Sequence, residues 1–273
     1  MLKHSIFIFL LISNCILGQS LDLQIRTSKS IYKFGESIDV KINIKNISND
    51  DISFQMPRIS SGTVKLHLLS PLGEEYPNLG IHMDDNSITT LKAGEEIQLQ
   101  ITLNDRFGDK IAIRTASRTI KPGENQLIAE MEFENKKITS KTVTFKVLEM
   151  NPEEEVKFNE LKKVLSIPIK DEAASKFVVE KLEQMFKDSD EGFRPLALEL
   201  LSVYLETNLK QTEKSLEIQK KIIREYPSSF STIILLSTKD FKEQREKIVK
   251  ELIPKIKNEF YKEYYQKILN KAD

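Results

Sequence analysis

The spacing of apolar residues changes once along this chain, and that change constrains the fold more than any other feature. Before Pro152 they recur at every second position; after it they recur at every third or fourth. The first spacing puts alternate side chains on one face of a strand, and the second puts a stripe along one side of a helix. A run of strands followed by a run of helices implies two parts with separate cores.

Seven segments alternate. Leu21, Leu23 and Ile25 interleave with Asp22, Gln24 and Arg26, and Ile38, Val40, Ile42 and Ile44 interleave with Asp39, Lys41, Asn43 and Lys45. Ile52 to Met56, Val64 to Leu68, Ile97 to Leu103, Leu127 to Phe133 and Val143 to Val147 continue the pattern. Turn residues separate them: Asn49-Asp50-Asp51, Pro71-Leu72-Gly73, Ala93-Gly94, Pro122-Gly123 and Glu134-Asn135. Many short strands with regular turns predict an antiparallel β-sandwich of about seven strands over residues 21–150.

Asn151-Pro152 followed by three glutamates reads as a helix start: proline fits the first turn, where acidic side chains also favour the helix dipole. Apolar stripes then recur at helical spacing through Leu161, Val178, Leu201, Ile222, Val249 and Tyr265. An all-α helical bundle or degenerate helical-repeat domain is expected over 151–273. The terminal stripe of Phe260, Tyr261, Tyr264 and Tyr265 reads as a last helix packing onto a core.

Residues 1–20 read as a signal peptide. Lys3 and His4 precede the apolar run Ile6–Ile12, which is far shorter than the roughly 20 residues of a membrane-spanning helix. Cleavage near Gln19 would leave a mature chain starting there. Ile12-Ser13-Asn14-Cys15 offers a second reading, a lipoprotein box with Cys15 as a possible lipidation site and lipid anchor. Either way the chain is expected to be exported: periplasmic, cell-envelope or secreted. Cys15 is the only cysteine, so the folded part has no disulfide, cysteine nucleophile or cysteine-ligated zinc.

Lys plus Arg and Asp plus Glu both number 41, so no basic excess points to nucleic acid. No catalytic, cofactor-binding or metal-binding residue set is expected. His67 lies between Leu66 and Leu68, on the opposite strand face. His82 with Asp84 and Asp85 reads as a turn, as does the loop holding Asp105, Gly108 and Asp109, because calcium loops need a longer run of oxygen donors. There is no Gly-rich phosphate loop and no nucleophile elbow.

The segment Thr27–Ser48 resembles the opening of macroglobulin-type and BsuPI-type immunoglobulin-like domains through Lys29, Tyr32, Gly35, Glu36 and Asn46. Gly62–Tyr76, Leu91–Leu103 and Lys121–Phe133 extend the resemblance. It implies an immunoglobulin-like sandwich, with Gly35 in a glycine-favouring turn and Asn46 bonding its own backbone at the strand end. It also implies an association with proteinase inhibition, for which the loops Met56–Gly62 and Tyr76–Ile88 are the candidates. Ser215–Ser229 resembles part of a tetratricopeptide-type hairpin, which implies a protein-binding surface. The expectation is therefore a non-enzymatic interaction or scaffold module whose partner is another protein or peptide. The alternatives are a proteinase inhibitor acting through a sandwich loop and a hydrolase whose carboxylates meet only in space.

Overall fold

The computed structural model describes residues 20–80, 87–110, 118–186 and 192–270; Cys15, His82, Asp84 and Asp85 lie outside them. Each alternating segment contains a strand. The strands are β1 (Leu21–Thr27), β2 (Ile31–Tyr32), β3 (Asp39–Asn46), β4 (Ile52–Gln55), β5 (Val64–Leu69), β6 (Ile88–Leu91), β7 (Glu96–Thr102), β8 (Asp109–Lys110), β9 (Arg118–Thr119), β10 (Gly123–Phe133), β11 (Lys136–Thr139) and β12 (Val143–Val147). One sheet runs β1-β3-β7. A second centres on β10, which pairs with β5, β11 and β12, and β12 in turn pairs with β2. Val40 and Ile42 from the first sheet share one buried cluster with Leu66, Ala129 and Phe145 from the second.

One pairing departs from the antiparallel expectation: β2 runs parallel to β12. Only residues 28–30 separate β1 from β2, so the chain passes from one sheet to the edge of the other instead of folding back in a hairpin. Two local expectations hold. Gly35 has φ of 74°, and the Asn46 side chain accepts the Ser48 backbone N–H at 2.9 Å.

Helices begin after the last strand: α1 (Pro152–Leu165), α2 (Glu172–Met185), α3 (Arg194–Val203), α4 (Thr212–Glu225), α5 (Phe230–Ser237), α6 (Lys239–Lys242), α7 (Arg245–Leu252) and α8 (Glu259–Asn270). Asn151 caps α1 by accepting the Glu154 N–H at 2.9 Å, and the Glu154 carboxylate accepts the Asn151 N–H at 3.0 Å. This reciprocal box satisfies donors that a helix start otherwise leaves open. A π-helical turn, Tyr204–Asn208, extends α3. The helical half has two buried clusters, one around Leu161, Val178, Phe193 and Leu201, the other around Ile223, Val249, Phe260 and Tyr265.

The halves interlock near Gly35. A Cβ there would lie 2.8 Å from Phe193 Cβ, closer than packed carbons allow. Phe34 stacks edge-on against Phe158 of α1, with centroids 5.0 Å apart.

Candidate functional site

The seam between the halves holds Asp39 and Lys41, the two buried Asp, Glu, Lys or Arg side chains among the described residues. Val40, Ile42 and Ile44 point into the core between the sheets, so Asp39, Lys41, Asn43 and Lys45 fall on the other face of β3. The alternation marked that face for solvent. It is instead partly roofed by α8: Asp39 and Lys41 are both 0% exposed, Asn43 is half-buried and Lys45 remains exposed.

Lys41 donates from Nζ to the Phe260 carbonyl at 2.5 Å and to Glu263 Oε2 at 3.2 Å, and its ammonium lies 4.4 Å from the Phe260 ring centroid. Burial pushes the Lys41 ammonium below its ordinary pKa, and the Glu263 carboxylate partly offsets this. Glu263 also accepts from Arg26 on β1. Burial opposes ionisation of Glu263, but the bonds from Arg26 and Lys41 outweigh it and hold the carboxyl below the usual range.

Asp39 is placed differently. It accepts hydroxyl protons from Tyr261 and from Thr102, the latter at 2.7 Å, and no ion pair to it occurs among the described residues. Burial raises its pKa to about 6 despite both hydrogen bonds. The Tyr261 phenol is pushed far above its ordinary value, first by burial and then by the Asp39 charge.

A cavity of about 60 Å³ lies nearby, lined by Thr102, Asn104, Asp105, Arg118, Glu199 and Ser231 among others. Burial raises the Glu199 carboxyl although Ser231 donates to it, and the Asp105 and Asp39 charges add to the effect. Asp105 sits exposed at the rim on a 3₁₀ turn, with its carboxyl raised by desolvation and lowered in part by Arg106. The loop expected from Asp105 to Asp109 is thus more than a connection, because its first acid faces the helices. Asp109 lies in β8.

The space is small. Pockets that hold organic ligands span about 300–1,000 Å³. Several waters fit where these carboxylates meet; a sugar or a peptide bond with its flanking residues does not. Among the described residues no group of three or more His, Cys, Asp or Glu side chains is arranged to hold a metal ion.

Larger concavities lie elsewhere. A groove of about 330 Å³ follows the junction, with Ile31, Leu148, Pro195 and Tyr226 as apolar or aromatic walls and Lys29 and Lys33 among its polar lining. Ile31, the first residue of β2, is 53% exposed, and Leu148, just after β12, is 40% exposed, so two aliphatic side chains at this sheet edge face solvent. On the helices, a groove of about 390 Å³ among Leu182, Phe186, Leu198, Leu201 and Ile218 adjoins one of about 570 Å³ along α4, the two sharing Glu183 and Ile218.

The remaining candidates are dispersed. His67 lies on the solvent side of β5, its Nδ1 2.7 Å from Glu75 and its Nε2 3.5 Å from Glu130, which also pairs with Lys137. The Met56–Gly62 loop is tied back by the Arg58 N–H to the Thr63 hydroxyl at 2.7 Å, and the Tyr76–Ile88 loop lies partly outside the described residues. Phe260, Tyr261 and Tyr265 are buried, as a terminal helix packing down requires. Sequence reasoning missed Asp39, Lys41 and Glu199. One signal for Glu199 existed: a lone carboxylate inside the apolar stretch Leu196 to Leu201.

No protein-family model matches the chain, and no curated protein matches it by sequence. Among solved structures it is similar to the alkylpurine DNA glycosylase AlkC of Pseudomonas fluorescens bound to abasic-site DNA, at 10% identity and TM-score 0.30 over 49% of this chain and 32% of that one. It is also similar to a CARDB domain from Pyrococcus furiosus in complex with di-metal ions, at 12% identity and TM-score 0.27 over 47% of this chain and 87% of that one. The sporulation control protein Spo0M of Bacillus subtilis matches at 11% identity and TM-score 0.29, over 53% of this chain and 54% of that one. The matched region thus spans about a third of the glycosylase and about half of Spo0M, and likenesses this distant carry no argument about activity.

Proposed function

We propose that this protein is an exported, non-enzymatic binding module in which an immunoglobulin-like sandwich, residues 21–150, and a helical domain, residues 151–273, jointly present a groove to another protein or peptide. Its place of work is the cell envelope or the secreted fraction, reached through the signal segment at residues 1–20. One observation carries the binding role: the junction groove pairs exposed Ile31 and Leu148 with Pro195 and Tyr226 in a space of about 330 Å³, large enough for one or two partner side chains. Concave apolar walls with a few polar groups at the rim are the usual anatomy of a recognition site.

A hydrolase reading has one observation in its favour, the raised carboxyls of Asp105 and Glu199 around one cavity. The roughly 60 Å³ of space weighs against it. An inhibitor reading through Met56–Gly62 has one feature in its favour, a concavity of about 340 Å³ lined in part by Ser61 and Gly62; against it, the loop is tied back by the bonds between the Arg58 backbone and the Thr63 hydroxyl.

Cross-linking of the intact protein in envelope extract tests the binding role. Wild type is expected to capture a reproducible partner that the double variant Ile31→Asp, Leu148→Asp loses. Equal capture by both proteins, or none by either across several salt concentrations, overturns it. Both positions are solvent-facing, so the variant is expected to keep its melting temperature.

A further inference from the structure

We propose that the contact between the β1-β3-β7 sheet and α8 is an acid-tightened latch, in which a proton on Asp39 seats the helical half and its loss loosens it.

Asp39 is the most enclosed carboxylate at the seam. Its carboxylate is fully enclosed, and the groups that reach it are the hydroxyls of Tyr261 and Thr102. The cations on its side of the sheet are turned elsewhere: Arg26 on β1 and Lys41 on β3 go to Glu263 of α8, and Lys45, at the far end of the β3 face, is exposed. Lys267 of α8 goes to Gln98 on β7 at 2.7 Å, and the Tyr265 hydroxyl donates to the Pro227 carbonyl at 2.9 Å. The Tyr32 hydroxyl, from β2, is held by Ser28 and by the Lys29 N–H. The other charges around Asp39 are mostly negative: Glu36 on the loop before β3, Asp105 on the 3₁₀ turn and Glu199 on α3. Of the arginines near this seam, Arg106 acts on Asp105, and Arg118 of β9 lines the cavity.

The cost of enclosing a carboxylate without a cation is relieved either by binding a proton, which neutralises it, or by letting the helix lift so that water solvates its charged form. The second route is open because the sheet face under α8 is polar, with Arg26, Asp39, Lys41, Asn43 and Gln98 on it, so it tolerates water when uncovered. Glu263 is already half-exposed and keeps water access in both arrangements.

A carboxyl near 6 when covered and at its ordinary 3.8 when hydrated shifts the closed-to-open ratio by about tenfold between pH 5.0 and pH 7.5. Hydrogen exchange of the α8 amides in the intact protein reads that ratio once rates are corrected for intrinsic chemistry. Protection is expected to be about tenfold higher at pH 5.0. Asp39→Asn is expected to raise protection at pH 7.5 above the wild-type pH 5.0 level, because wild type at pH 5.0 has gained only part of the effect of a neutral side chain, and to flatten the dependence. Equal or lower wild-type protection at pH 5.0 overturns the latch, as does a tenfold difference that persists in Asp39→Asn. If Asp39→Asn does not fold, Thr102→Val removes one donor to the carboxylate and is expected to steepen the wild-type dependence; an unchanged ratio there also overturns the proposal.

Discussion

The two faces of β3 share one backbone and opposite chemistry. On one face Val40, Ile42 and Ile44 fill the core between the sheets, each 0% exposed. On the other, Asp39 and Lys41 are equally buried but meet α8 through a hydroxyl, a carbonyl and a carboxylate. The apolar face needs only close contact, which many similar side chains supply. The polar face needs a specific partner for each buried group, since an unpaired one costs free energy that no general packing restores. Burial alone therefore does not distinguish a core from a joint; the way polar groups are satisfied does.

Substitutions on the two faces should separate accordingly. The largest effect is expected for Ile42→Ala, which leaves a cavity in the sheet core and should lower the unfolding free energy by about 3–4 kcal/mol in urea titration at any pH. A loss below about 1 kcal/mol would mean that the two sheets do not share a tight core.

Asp39→Asn comes next and should act in the opposite direction. Its carboxyl titrates near 6 in the fold against an ordinary 3.8, so the folded state holds the proton more tightly. The stabilisation from that proton is complete below about pH 3.8 and is lost as pH rises through 6. The variant should be more stable than wild type by about 2–3 kcal/mol at pH 7.5 and indistinguishable from it near pH 4, as thermal melts at the two pH values would show. Glu263, held low by Arg26 and Lys41, works in reverse and loses its contribution as pH falls, so wild-type stability should peak at mildly acidic pH.

Lys41→Ala removes a buried donor while leaving Glu263 hydrated, and should cost about 1–2 kcal/mol. The smallest effect belongs to Arg26→Ala. Both members of the Arg26–Glu263 pair are about 40% exposed, so the loss should stay below about 1 kcal/mol and vanish in high salt. A larger loss would place Arg26, and not Lys41, at the centre of the joint.

Much of the architecture was legible beforehand. The seven alternating segments each hold a strand, and the switch at Asn151-Pro152 is a capped helix start, because side-chain period and capping are local properties. The parallel edge β2–β12 was not legible, since a two-residue strand has no period to detect. The seam was the main omission. Asp39 and Lys41 looked like ordinary outward residues of a half-buried strand, and only α8, more than 200 residues later in the chain, turns that outward face into an interior.

The amino-acid order alone determined which segments form strands or helices and which face of each is apolar, because those follow from the spacing of neighbours along the backbone. Only the tertiary structure decided what covers the polar face of β3, which acids at the seam are buried away from a cation, and how small the space around Asp105 and Glu199 becomes. Those outcomes depend on residues distant in sequence arriving at the same place. Desolvation, which sets the charge state of Asp39, is a property of that place and not of the residue.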